Sequence, residues 1–240
     1  MIRKLLQLVP RSTKEKLRLR FGVVTMHNRL ANLRKAGFRP THIIDAGAFR
    51  GDWAKEVAGI FPDASILMIE PQAGCRSALQ DLAQGGKGFV LRQTLLGKAP
   101  GEMRFLVEGS NSRVLTDDWT PGSGAKIETI SVSTLALVAQ ETGFGAAQFI
   151  KLDLQGHELE ALEGAGDLFG RCEVFMVEVS WLRIGNVPLM HEVVEAFVGK
   201  GYQPYDIMGN NYRRRDRALW QTDIMFVRGD SPLIASREWA

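Results

Sequence analysis

The sequence predicts a doubly wound α/β fold: a mostly parallel sheet with helices on both faces and an antiparallel hairpin at one edge. Three observations carry this expectation. From Thr41 onward, short β-branched runs alternate with helical stretches. The strands read as nearly continuous apolar runs, as strands covered on both faces do. The last two strand-like pieces follow one another with no clear helix between them. The chain of 240 residues, 45% apolar and 24% charged, has the size and composition of one α/β domain with room for an N-terminal extension.

The elements follow in order. Ile2, Leu5, Leu6 and Val9 have helical spacing, and Pro10 ends that turn. Ser12 with Glu15 reads as a capping box opening a second helix. Val23, Met26, Leu30 and Leu33 mark a third, closed by Gly37. HIIDAG is the first buried strand, followed by a helix from about Asp52 to Gly59. ASILMIEP is the next strand, then a helix around Gln72–Ala83, then GFVLRQTLL as one strand. Residues 97–126, rich in Gly, Pro, Ser and Asp, read as loop with one strand-like piece, MRFLV. IETISVSTL, QFIKLDL and EVFMVEVS are further strands, with helices around Leu135–Gln140 and from His157 to Leu162. A helix over Leu189–Val198 ends at Gly199, and YQPYDI and WQTDIMFV close the chain. The expected division is a basic helical extension over residues 1–40 and one domain over 41–240.

Composition excludes several classes. No apolar run approaches the length of a membrane span. Cys75 and Cys172 are the only cysteines and lie far apart, which excludes a disulfide scaffold or a Cys-x-x-Cys site and fits a reducing, cytoplasmic compartment. Charge is uneven. Residues 1–40 hold eleven Lys/Arg against one acid, Glu15, a balance of +10, whereas the remainder is −7. The basic arm suits docking on an anionic membrane surface, or equally a solvated helical cap.

In IIDAGAFRG, Asp45, Gly47 and Gly51 fall at a strand-to-helix turn, where doubly wound sheets bind ligands. Phe49 stands where a dinucleotide fingerprint needs its second glycine, and an acid in the turn opposes a phosphate. A cofactor with a cationic amino-acid tail and no phosphate, S-adenosyl-L-methionine, fits better. Glu70 ends the next strand, where a carboxylate can accept both hydroxyls of a ribose or simply favour a helix N-terminus.

Three blocks carry a family resemblance. IIDAGAFRGDWA resembles the I-D-V-G-A-N-x-G block of the FkbM family of S-adenosylmethionine-dependent methyltransferases, and ILMIEPQ resembles its hydrophobic-F-E-P block. FIKLDLQGHELEALEGA resembles its most specific block, I-K-x-D-x-Q/E-G-x-E-x-x-x-L-x-G-A. The resemblance covers roughly residues 41–228 and departs at Phe49, where the family usually has Asn. It implies the seven-stranded, Rossmann-like class I methyltransferase sheet and S-adenosyl-L-methionine as cofactor. Asp45, Gly47, Gly51 and Glu70 carry over as cofactor residues, with Gln93 and Thr94 as candidates for the adenine edge. Known activities of the family are mostly O-methylation of hydroxyls on sugars or secondary metabolites.

Methyl transfer from a sulfonium requires an aligned oxygen and a place for its proton. Asp153 at a strand end, His157 at the following helix start and Glu178 at the neighbouring strand end are the candidate bases. Asp153 could equally hold the methionine moiety or cap the turn. Glu178 could pair with Arg183, and Glu158 could serve only the helix dipole. A metal held by Asp153 and Glu178 would also acidify a hydroxyl, but no close-spaced His/Asp cluster supports one.

GSNSRVLTDDW, with Asn111, Ser112 and Arg113, reads as a sugar- or acid-binding loop or a plain surface loop. WLRIGNVP offers Trp181 to a sugar face, and NNYRRRDR reads as an anion contact or a solvated hairpin turn. The expected partner is a sugar or small-molecule hydroxyl acceptor; a homodimer is one option for the assembly, which the sequence leaves open. The acidic body disfavours nucleic acid; RNA methylation, motivated by the basic arm and the Arg cluster, is the alternative, beside a catalytically degenerate binding module.

Overall fold

A computed structural model describes residues 24–86, 88–115, 122–183, 187–234 and 236. The helices expected before Pro10 and from Ser12 therefore lie outside the described residues. Helix α1 spans Met26–Lys35, capped by Thr25, whose hydroxyl accepts the Asn28 N–H while Asn28 reaches back to the Thr25 N–H. Strand β1 is His42–Ala46, helix α2 Asp52–Ile60, strand β2 Ser65–Ile69, helix α3 Arg76–Gln84 and strand β3 Phe89–Arg92. Strands β4 Leu95–Leu96, β5 Gly101–Val107, β6 Arg113–Val114 and β7 Lys126–Ser133 follow. Helix α4 spans Leu135–Thr142, strand β8 Phe149–Leu152, helix α5 Glu158–Glu163 and strand β9 Val174–Ser180. Helix α6 is Met190–Gly199, and strands β10 Tyr202–Tyr212 and β11 Leu219–Arg228 close the chain.

The main sheet has seven strands in the order β10-β11-β9-β8-β1-β2-β3. From β9 to β3 every pairing is parallel, and β11 runs antiparallel to both β9 and β10. This is the predicted sheet with its edge hairpin. Register places Asp45 beside Lys151, and Asp223 opposite Glu178. The two faces bury different sets. Ile44, Leu67, Ile150, Phe175 and Val177 pack with α4, α5 and α6, while Ile43, Ile66, Met68, Phe149 and Met176 pack with α1, α2 and α3. Leu30 and Leu33 of α1 belong to that second core, and Arg29 pairs with Asp206 on β10. The apolar stripe of this helix thus packs directly on the sheet.

Two expectations are corrected. GFVLRQTLL is not one strand: β3 belongs to the main sheet, whereas β4 joins a second sheet of order β4-β7-β5-β6. The break falls at Thr94, whose buried hydroxyl donates to carbonyls of Leu95 (3.1 Å) and Ser131 (3.0 Å) and ties the chain to β7. In the stretch 97–126, expected as loop apart from MRFLV, that piece lies in β5 and a further short strand, β6, pairs with it; IETISVSTL pairs with β5 and stays outside the main sheet. The second sheet has only a small core of Leu95, Phe105 and Val132, so its strands lack a strong apolar signature.

Candidate functional site

The turn after β1 is fixed by backbone. The N–H groups of Gly47 and Ala48 both donate to the Ile69 carbonyl, at 2.9 and 3.1 Å. Gly47 has φ +83°, and a Cβ there would stand 1.9 Å from the Asp153 carbonyl oxygen. Only glycine lets the turns after β1 and β8 touch. The next residue but one, Phe49, also has positive φ, +47°. Asn tolerates that region far better than Phe, which gives a backbone reason for the family's usual residue there. Gly51 caps α2 at φ +76°, and its missing side chain makes room for Leu82 and Leu79 of α3.

Glu70, almost fully buried, accepts the Phe49 N–H at 2.8 Å on one oxygen and the Gln72 N–H at 2.9 Å on the other. Burial pushes its carboxyl up, and the two N–H groups oppose that shift. It lines a cavity of about 180 Å³ together with Gly47, Phe49, Thr94, Asp153 and His157. Leu95, Leu96 and Phe105 complete the apolar wall. Of the residues predicted for the cofactor, Gln93, Gly51 and Asp45 are not among those lining this cavity.

Asp45 is fully buried, and the ammonium it meets is that of Lys151, 3.4 Å from its Oδ1. Neither carboxylate oxygen has a hydrogen-bond partner among the described residues. Burial raises the Asp45 pKa, and Lys151 opposes this. Lys151 also reaches Asp153 Oδ2 at 3.1 Å and lies over the Trp53 ring at 5.7 Å. Burial would depress the lysine, yet the carboxylates of Asp153 and Asp45 outweigh it and hold its pKa above the ordinary value. Sequence reasoning missed this residue. Its signal was a lone lysine inside FIKLDL, since a charge in a strand buried on both faces needs a partner.

Asp153 and Glu178 do meet, through a residue not anticipated. Gln155 Nε2 donates to Asp153 Oδ1 at 2.9 Å and to Glu178 Oε2 at 2.7 Å, and Gln221 Nε2 donates to the same Glu178 oxygen at 2.6 Å. Gln155 holds φ +54° to do so. Glu158 staples the turn from below, its Oε1 accepting the N–H groups of Leu154 (2.8 Å) and Gly156 (3.2 Å). Burial pushes Glu158 up to about 7. Burial, with Asp153, Glu158 and Asp223 nearby, pushes Glu178 up to about 9. Asp223 rises to about 6, through burial and the charge of Asp153. Arg183 pairs with Glu192 at 2.6 Å and not with Glu178.

His157 lines the same cavity, with its Nε2 near Gly97. Its Nδ1 is 3.6 Å from Glu160 Oε2, and Nε2 has no partner among the described residues. Burial lowers its pKa against the pull of Glu160. It makes no hydrogen bond to Asp153 or Glu178 among the described residues.

Segment 108–114 separates two cavities. Ser110, Ser112 and Val114 line the first, while Glu108, Asn111 and Arg113 line a second of about 560 Å³. Ser112 Oγ accepts the Glu108 N–H at 2.7 Å and donates to Gln72 Oε1 at 2.9 Å, which anchors the partition beside Glu70. Gln155 lines both cavities. Trp181 is not among the residues lining the second; Tyr212 and Trp220 are. Among the described residues no helix is long and apolar enough to cross a membrane, and no group of three His, Cys, Asp or Glu could hold a metal ion.

The model of the methyltransferase FkbM domain matches residues 45–204. The chain belongs to the FkbM methyltransferase family, and its cofactor is S-adenosyl-L-methionine. No curated protein matches the chain. Solved structures similar to this FkbM methyltransferase include the precorrin-6y C5,15-methyltransferase of Geobacter metallireducens, at 11% identity and TM-score 0.47 over 83% of this chain and 86% of that one. An O-methyltransferase family protein of Burkholderia thailandensis matches at 12% identity and TM-score 0.46 over 85% of this chain and 55% of that one, about half its length. The 1,6-didemethyltoxoflavin-N1-methyltransferase of Burkholderia thailandensis, solved with S-adenosylhomocysteine, matches at 12% identity and TM-score 0.42 over 85% and 79%.

Proposed function

We propose that this protein is an O-methyltransferase acting on a hydroxyl of a sugar or small metabolite. The observation that supports this most is the meeting of Glu70 and Asp153 on one cavity at the carboxyl ends of β2 and β8, the strands on either side of β1, with Gln155 opening from it to a second cavity. The donor set fits the cofactor. A carboxylate offers about four acceptor sites, and backbone uses one on each oxygen of Glu70, leaving two for ribose hydroxyls. Thr94 and the apolar wall suit an adenine edge and face. When bound, the cofactor supplies a methyl group on a positively charged sulfur.

The chain's own groups supply alignment and a proton acceptor. Asp153 is oriented by Lys151 on one oxygen and Gln155 on the other, each leaving a lone pair for an incoming hydroxyl. Asp153 is therefore the base in this reading. Glu178, pushed up to about 9, is protonated at neutral pH and serves as the anchor of Gln155. Asp45 supports the site from beneath by holding Lys151.

Calorimetry with S-adenosylhomocysteine and mass spectrometry of hydroxyl acceptors incubated with labelled cofactor test this reading. Wild type should bind at about micromolar Kd, and Glu70→Gln should weaken binding roughly tenfold. Asp153→Asn should keep that binding and lower turnover by about 100-fold. Absence of binding heat in wild type would remove the reading, and unchanged turnover in Asp153→Asn would remove the base.

A further inference from the structure

The second cavity brings together two segments a hundred residues apart in sequence. Asn111 and Arg113 come from the partition, and Asn211, Tyr212, Arg213 and Arg214 come from the tip of the β10–β11 hairpin. The lining carries three arginines, Arg113, Arg213 and Arg214, and one acid, Glu108. One of them is already oriented: Arg213 makes two bonds to Asp216, at 2.9 Å through Nε and by a second through its terminal nitrogen. The Arg217 guanidinium lies 5.7 Å from the Tyr212 ring centroid. Both side-chain amides on Glu178, from Gln155 and Gln221, belong to the same wall.

We propose that the second cavity binds the acceptor by an anionic group, so that the substrate is a hydroxylated compound bearing a carboxylate or a phosphate. Guanidinium groups match either anion with paired N–H donors. The amides of Asn111 and Asn211 suit neighbouring hydroxyls, and Tyr212 suits the apolar face of a sugar ring. With the anion at the hairpin tip, a hydroxyl of the same molecule reaches the first cavity past Gln155, where Asp153 stands. The body of the chain is net acidic, so this basic wall is a local feature and not part of a polyanion groove. The proposal rests on the O-methyltransferase reading for the direction of the hydroxyl, but the anion site has its own test.

Saturation-transfer NMR compares D-glucuronate, D-glucose 6-phosphate and D-glucose with protein saturated in S-adenosylhomocysteine, at about physiological ionic strength to screen the basic arm. Wild type should give transfer to at least one of the two acidic sugars, and which one responds separates carboxylate from phosphate. Arg113→Gln/Arg214→Gln should reduce that signal roughly tenfold, and the exposed single change Arg214→Gln should reduce it in the same direction. Equal transfer to glucose, an undiminished signal in both variants, or no transfer to any of the three sugars would each overturn the proposal. Calorimetry with S-adenosylhomocysteine on the same samples reports the cofactor site separately. Its failure would strike the methyltransferase reading, and the sugar comparison would still decide the anion site.

Discussion

The two halves of the site are held by different kinds of bond. On the β1–β2 side the groups are fixed by main chain: Glu70 accepts two backbone N–H groups, and Gly47 lies against a backbone carbonyl. On the β8–β9–β11 side they are fixed by side chains reaching each other: Lys151 between Asp45 and Asp153, and two glutamines on Glu178. A backbone-fixed half tolerates changes of side chain but not of backbone conformation. A side-chain-fixed half depends on charge and therefore on pH.

The sharpest test of this contrast is Gly47→Ala. The new Cβ would stand 1.9 Å from a carbonyl oxygen, at a φ of +83° that costs any side chain. Neither partner is the flexible end of a side chain, so the turn or the strand must move. The expected loss is about 4 kcal/mol or more, in the range reserved for severe strain. Urea unfolding checks it, and a loss under about 1 kcal/mol would show that the two turns can part freely.

Lys151→Met asks the same of the other half. It leaves the carboxyl of Asp45 fully buried without its cation and removes one donor from Asp153. Breaking a buried pair in this way costs about 3–5 kcal/mol at neutral pH. The deficit should shrink as pH falls, because protonated carboxyls no longer need the ammonium. A deficit that stays constant down to the carboxylate range would mean that Lys151 acts by packing on Trp53 alone.

A smaller effect is expected at Glu178. Its folded pKa, pushed up to about 9, exceeds the ordinary value of 4.5. Its contribution to stability is then full below about pH 4.5 and declines as pH rises toward 9. Glu178→Gln carries no such titration. The variant should gain on wild type by more than about 1 kcal/mol between those limits. Parallel stability curves against pH would place the proton elsewhere in the carboxyl cluster.

The same contrast explains what could be read in the sequence. The mostly parallel sheet with its edge hairpin, the Gly47 turn and the strand-end place of Glu70 follow from local patterns: apolar runs, a glycine after an acid, an acid before a proline. The pairing of a second sheet did not: MRFLV and IETISVSTL read as strands, but β5 and β7 are largely exposed and β4 is two residues long, so nothing local sets them apart from the main sheet. Lys151 and Gln155 each reach Asp153 two residues away, but their second partners, Asp45 and Glu178, lie on other strands, and spacing along one strand does not show those. Asp45 shows the cost: its strand-end position was legible, but its ammonium partner was supplied from inside the protein. The cavity wall shared by segment 108–114 and the hairpin tip was equally out of reach, since it joins segments that only the folded sheet brings together.

The mildest change probes whether the first half is truly held by backbone. Phe49 occupies the left-handed region at φ +47°, where Asn is at ease, and it keeps its N–H on Glu70. Phe49→Asn relieves on the order of 1 kcal/mol of backbone strain and gives up part of a half-buried ring, so the two effects nearly offset. Stability should change by less than about 1 kcal/mol, and the Kd for S-adenosylhomocysteine by less than about threefold. A tenfold loss of affinity would show that Phe49, which lines the cavity, holds the cofactor by its ring and not only through its N–H on Glu70. It would also show that this half, too, depends on side chains.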